Sequence, residues 1–110
     1  MILSVRALAA ALAAFALTAA PALAAPGDEA CKRELFMADA AVSGSYRNME
    51  TGGAKPEEQC AAWRRHVEAM RRASGAYGRC AIGPVKAKTA EFNSTAADFQ
   101  RLIGERCKGK

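Results

Sequence analysis

The sequence predicts an all-α domain: a small antiparallel three-helix bundle stapled by two disulfides, made behind a cleaved signal peptide. Three observations carry this. Apolar residues recur at steps of three and four in three successive segments, the stripe of an amphipathic helix. No segment shows the alternating β-branched and aromatic pattern of a strand, and the connectors are short, as between antiparallel neighbours. Four cysteines sit in a short chain with an export-type start, which implies a disulfide framework.

The leader comes first. Residues 1–6 carry one positive side chain, residues 7–20 are apolar apart from Thr18, and Pro21 breaks the run before Ala22-Leu23-Ala24. That is a signal peptide over residues 1–24, with cleavage expected after Ala24. The apolar run is shorter than the roughly twenty residues a membrane span needs. No cysteine follows the cleavage point for lipid attachment, and no paired arginines mark a twin-arginine signal. The expected location is the periplasm, or secretion. Residues 25–110 then form a single domain, small enough that a hydrophobic core alone is marginal and covalent staples matter.

The first helix is expected over about residues 29–49. Cys31, Leu35, Ala38, Val42, Tyr46 and Met49 form its stripe, Asp28 serves as N-cap, and Thr51-Gly52-Gly53 ends it. Ser43-Gly44-Ser45 weakens its last turns. The second helix, about 56–78, opens with Pro56 at its first position and with Glu57 and Glu58 against the positive end of its dipole. Its stripe of Cys60, Trp63, Val67, Met70, Ser74 and Tyr77 is the most regular in the chain. Gly75 and Gly78 loosen its end, and Ile82-Gly83-Pro84 reads as a connector. The third helix, about 84–107, has Val85, Phe92, Ala96, Phe99, Ile103 and Cys107 on its stripe.

Helix geometry separates the possible cysteine pairings. In a continuous second helix Cys60 and Cys80 lie about 30 Å apart at a rise of 1.5 Å per residue, far beyond the roughly 7 Å Cα limit for a bridge. In an antiparallel bundle Cys31, opening the first helix, lies level with Cys80, and Cys60 lies level with Cys107. The expected bridges are Cys31 to Cys80 and Cys60 to Cys107. The third pairing would join opposite ends of neighbouring helices. No Cys-x-x-Cys occurs, so a structural role is favoured over a redox one.

Charge is unevenly placed. The whole chain has 16 basic and 11 acidic side chains and a formal net charge of +5. Between residues 64 and 88 only Glu68 opposes Arg64, Arg65, Arg71, Arg72, Arg79, Lys86 and Lys88. Arg65, Arg72 and Arg79 repeat every seven residues, with Arg64 and Arg71 as a parallel ridge. These five arginines are the candidate anion-binding residues, set against the plainer reading of a solvated helix face. Nucleic acid is disfavoured as a partner because no exposed aromatics are interleaved for base stacking.

The remaining chemistry is sparse. His66 is the single histidine, and its position beside Trp63 and Met70 suits a boundary residue. With the cysteines oxidised, and Met37, Met49 and Met70 accounted for as core or near-core residues, no metal or cofactor is expected. Trp63, Tyr77, Phe92 and Phe99 are expected to fill the interior rather than line a groove. No nucleophile elbow, phosphate loop or His-Glu-x-x-His occurs, so no catalytic site is expected.

The layout of leader, Cys31, Pro56-Glu57-Glu58-Gln59-Cys60, Cys80-Ala81-Ile82-Gly83-Pro84 and Cys107 resembles small uncharacterised exported four-cysteine helical proteins of alphaproteobacteria. Those proteins carry Cys-Gly-Ile-Pro near the third cysteine, whereas here Ala81 intervenes and Gly83 follows Ile82. The resemblance implies helices and export, and supplies no activity or site. The functional expectation is an exported non-catalytic binding or scaffold protein acting on a protein partner or an anionic surface, with the basic face of the second helix as one route. The alternatives are a small periplasmic chaperone or enzyme inhibitor, and a cationic protein that binds membranes or polyanions.

Overall fold

A computed structural model describes residues 25–53 and 55–109; the expected signal peptide lies outside them. Three helices follow in order: α1 (Glu29–Thr51), α2 (Pro56–Cys80) and α3 (Lys88–Arg106), with a 3-10 turn at Gly83–Ala87 before α3. No strand occurs among the described residues. Both expected bridges form, Cys31 to Cys80 with Cα atoms 5.1 Å apart and Cys60 to Cys107 at 5.9 Å. Each ties the start of one helix to the end of its neighbour, so the run is up, down, up.

The helix ends follow local chemistry. The Asp28 carboxylate accepts from Cys31 N at 2.8 Å and from Ala25 N at 2.8 Å. It thus satisfies a donor that the first turn leaves open. These bonds, Ala25 first, hold its pKa below the usual carboxylate value. At Gly52 a Cβ would stand 2.8 Å from Asn48 O, so the exit from α1 needs glycine. Pro56 begins α2 as expected. That helix continues through Gly75 and Gly78 to Cys80, because Cys80 is held by the bridge and the last turn packs on its neighbours. The third helix begins later than the sequence suggests. Gly83 takes φ +66, and Pro84 opens one 3-10 turn rather than α3. Val85 therefore lies off the helix and is exposed.

α2 is the central element. Its buried residues run from Cys60 to Cys80, whereas α1 has only Cys31 fully buried and α3 only Ala96. Ala62, Ala69 and Ala76 recur every seven residues on its α1 side. A Cβ at Gly52 would lie 3.7 Å from that of Ala62, and Ala69 and Ala76 border a depression shared with Ala38 and Ala41 of α1. Small side chains let the two helices approach closely. On the α3 side, Val67 packs in one cluster with Ala96 and Ile103, and the Ser74 hydroxyl donates to Thr89 O at 3.1 Å.

Ala69 and Val67 are two residues apart, so at 100° each they point about 160° apart around α2. α1 and α3 consequently stand on nearly opposite flanks of it, and no Cα of α1 comes within 8 Å of a Cα of α3. The bundle is open along one side. Several residues expected inside are not enclosed: Trp63 is half-buried, Tyr46 is exposed, and Met37, expected near the core, is 66% exposed at the rim of the α1–α2 depression.

Candidate functional site: the cleft between the first and third helices

The open side of α2 is the floor of a cleft of about 620 Å³. His66 and Met70 supply the floor, at a spacing of four on one face of α2. Val42, Ser43, Tyr46 and Arg47 of α1 form one wall, and Glu91, Phe92, Thr95 and Phe99 of α3 the other. Met70 is almost fully buried, and Val42, Phe92 and Phe99 pack on the same cluster. The walls are mainly apolar and aromatic. One cation, Arg47, and one anion, Glu91, lie on opposite sides.

His66 is the unusual group. It is 4% exposed, and its ring lies 5.3 Å from Phe99, edge to face, and 5.7 Å from Tyr46. Its Nδ1 is 2.7 Å from Ser45 Oγ, and Ser45 Oγ donates to the Val42 carbonyl at 3.0 Å. Burial pushes the imidazole pKa below its ordinary value, because removing a cation from water disfavours the charged form. The ring is therefore neutral near neutral pH.

Farther along the same face of α2, the buried Tyr77 donates its hydroxyl to Asp39 Oδ1 of α1 at 2.7 Å. Its ring lies 5.4 Å from that of Phe92, and Lys88 Nζ stands 5.6 Å from its centroid. Burial, then the Asp39 carboxylate, push the Tyr77 phenol up to about 12. This Asp39–Tyr77–Phe92 chain ties α1 to α3 through α2 beyond the cleft.

The five candidate arginines lie on the opposite side of α2, all exposed. Arg64, Arg71 and Arg72 border one depression of about 530 Å³ with Gln100 and Ile103. Arg71 donates to Gln100 Oε1 at 2.6 Å, Arg72 pairs with Glu68 at 2.8 Å, and Arg79 pairs with Glu34. Arg65 borders a separate depression with Glu57 and Glu58. The structure thus gathers Arg64, Arg71 and Arg72 at one depression and Arg71, Arg72 and Arg79 at a second, leaves Arg65 apart, and spreads acidic or amide partners among them.

Cys31, Glu34 and Cys80 come together as a potential metal set, but the two sulfurs are bonded to each other and offer no thiolate. Glu34 Oε2 lies 3.3 Å from Cys80 Sγ. A disulfide sulfur has no hydrogen to donate, so this is a contact, and the carboxylate's partner is Arg79. Both cysteines are buried.

Sequence reasoning missed the cleft and the role of Ser45. A signal for Ser45 exists: it stands three residues from Val42 and four from Met49, where the stripe of α1 calls for an apolar side chain. The single histidine sits among the apolar positions of α2. A polar residue on each of two facing stripes is a pairing cue.

No helix among the described residues is long and apolar enough to cross a membrane, and two buried disulfides fit an oxidising compartment. Comparison with protein-family models, with curated proteins and with solved structures finds no match to this chain.

Proposed function

We propose that the domain is an exported, non-catalytic binding protein whose ligand occupies the cleft between α1 and α3. The observation that carries this is the cleft itself: a trough walled in part by aromatic side chains, with a buried histidine on its floor. Its size falls within the 300 to 1,000 Å³ or so of small-molecule sites, as does its lining of apolar side chains with a few polar groups. A periplasmic location is supported by the leader pattern of residues 1–24 and by the disulfides.

The hydrogen bonding of Ser45 supports a non-catalytic role. A serine nucleophile needs its proton aimed at a basic nitrogen, whereas the Ser45 hydroxyl, 2.7 Å from His66 Nδ1, also has the Val42 carbonyl at 3.0 Å as a competing acceptor for its single proton. The arginine surface is the weaker candidate, since its cations face Glu34, Glu57, Glu58, Glu68 and Gln100.

The test is capture of ligand from the native compartment by the oxidised protein, read by native mass spectrometry. Thr95→Trp and Ser43→Trp, at exposed positions on the cleft walls, place an indole in the trough. Loss of the bound species in both variants supports the cleft. Retention in both, with loss in Arg65→Glu/Arg72→Glu, would move the binding surface to the arginines.

A second reading, an anionic membrane surface as the partner, has one specific observation behind it. Ile82 and Val85 are exposed and border a notch with Leu35 and Lys32; Phe36, 74% exposed, follows Leu35, and Lys86 and Lys88 follow Val85 in sequence. Apolar side chains beside cations are what an anionic interface takes up. Salt-sensitive cosedimentation with phosphatidylglycerol vesicles, lost in Ile82→Ser/Val85→Ser, would favour it.

A further inference from the structure

We propose that the ligand taken by the α1–α3 cleft is a neutral apolar molecule that donates one hydrogen bond, from a hydroxyl or an N–H, to Nε2 of His66. This rests on the cleft reading above and goes further by naming the chemical class.

The argument starts from Ser45. A hydroxyl has one proton and can donate once. Its two contacts are the Val42 carbonyl at 3.0 Å and His66 Nδ1 at 2.7 Å. A carbonyl only accepts, so for both contacts to be hydrogen bonds the hydroxyl proton goes to Val42 O, and Ser45 Oγ accepts from Nδ1–H. In a neutral imidazole with the proton on Nδ1, Nε2 is a bare lone pair. Burial favours that neutral form.

Nε2 has no hydrogen-bond partner among the described residues. Thr89 Oγ1 is the one sealed side-chain polar atom there without a partner, so Nε2 keeps access to the cleft that His66 lines. An acceptor that opens onto the cleft from an otherwise buried side chain is where a ligand donor can replace solvent and make a directed hydrogen bond. Phe99 and Tyr46 flank the imidazole and leave an apolar surround for the rest of the ligand. Arg47 and Glu91, of opposite sign on opposite walls, give the cleft no net charge with which to select an ion. A carboxylate would bring only acceptors to a nitrogen that cannot donate.

Isothermal titration of the intact oxidised protein near neutral pH with para-butylphenol and with its methyl ether tests this. The two differ in the donor and share the apolar body. The phenol is expected to bind about tenfold tighter, the ordinary worth of one buried hydrogen bond. In His66→Phe, which keeps an aromatic ring at the site, the ether retains its affinity and the difference disappears. A second variant, Ser45→Ala, leaves Nδ1 without its acceptor and reduces the preference for the phenol. Nitrogen NMR of His66 reads the tautomer directly in the unmodified protein. Equal binding of phenol and ether, or a proton found on Nε2, overturns the donor assignment while leaving the cleft reading in place. Failure of both probes to bind, together with native ligand capture untouched by Thr95→Trp, overturns the cleft reading as well.

Discussion

Removing the Cys60–Cys107 bridge by Cys60→Ala/Cys107→Ala tests how the domain is held together. The cysteines are 47 residues apart. In the chain-entropy account, closing a loop of that size removes unfolded-state freedom worth about 4 kcal/mol at 25 °C. A domain of this size has a total stability of roughly 4 to 13 kcal/mol, so the variant should be marginal. The companion Cys31→Ala/Cys80→Ala opens a loop of 49 residues, and the same account makes the two losses equal to within about 0.1 kcal/mol. That equality is the sharp part, because the seams differ: alanines line the α1 side of α2, and Val67 with Ile103 the α3 side. Urea denaturation followed by far-UV circular dichroism gives both numbers. A loss below about 1 kcal/mol for either bridge, or losses differing by more than about 2 kcal/mol, would refute the entropic reasoning and place the stabilisation in native packing.

Other measurements probe the core and its titrating groups. Met70→Ala should cost about 2 to 5 kcal/mol, because the side chain is almost fully buried beneath the cleft; a smaller loss on denaturation would mean that the floor collapses. His66 has its folded pKa lowered from 6.5, so the unfolded chain binds the extra proton first. Stability from this group is present above pH 6.5 or so and is lost as pH falls toward the folded value. The charged groups sharing its cleft are Arg47 and Glu91, and subtracting the His66→Phe profile isolates the histidine. Tyr77 has the opposite sign: its folded pKa rises from 10.0 to about 12, so its contribution holds below pH 10 and is lost as pH climbs to about 12. Tyrosinate absorbance should show one of the two tyrosines ionising near that upper value, and Tyr77→Phe should abolish that step. Arg65→Glu/Arg72→Glu, on the exposed face, should shift stability by no more than about 1 kcal/mol, checked by the same denaturation.

The stripes, the caps at Asp28 and Pro56 and the disulfide pairing were legible because each depends on spacing along one helix or on helix length. How far α1 and α3 close over α2 was not. That depends on the angle between two seams on one helix, and the small-residue repeat of Ala62, Ala69 and Ala76 is invisible to a search for large apolar side chains. The same blind spot made Tyr46 and Met37 look like core. Val85 was misplaced because Gly83 and Pro84 suit a 3-10 turn as well as a helix start. His66 was expected at the boundary of the core but is buried, and its partner Ser45 was read only as a weak helix former, since a side-chain pair 21 residues apart leaves no trace in local periodicity.

The separation of α1 from α3 has a thermodynamic consequence for how substitutions combine. Sites far apart with no shared partners add in free energy, so Ser43→Ala on the α1 wall and Thr95→Ala on the α3 wall of the cleft should act independently in the free protein. A ligand lying across the trough would touch both walls and become their shared partner. Wall positions that do not couple in the free state would then report on each other in the bound one, and the size of that coupling would measure how fully the guest bridges the gap.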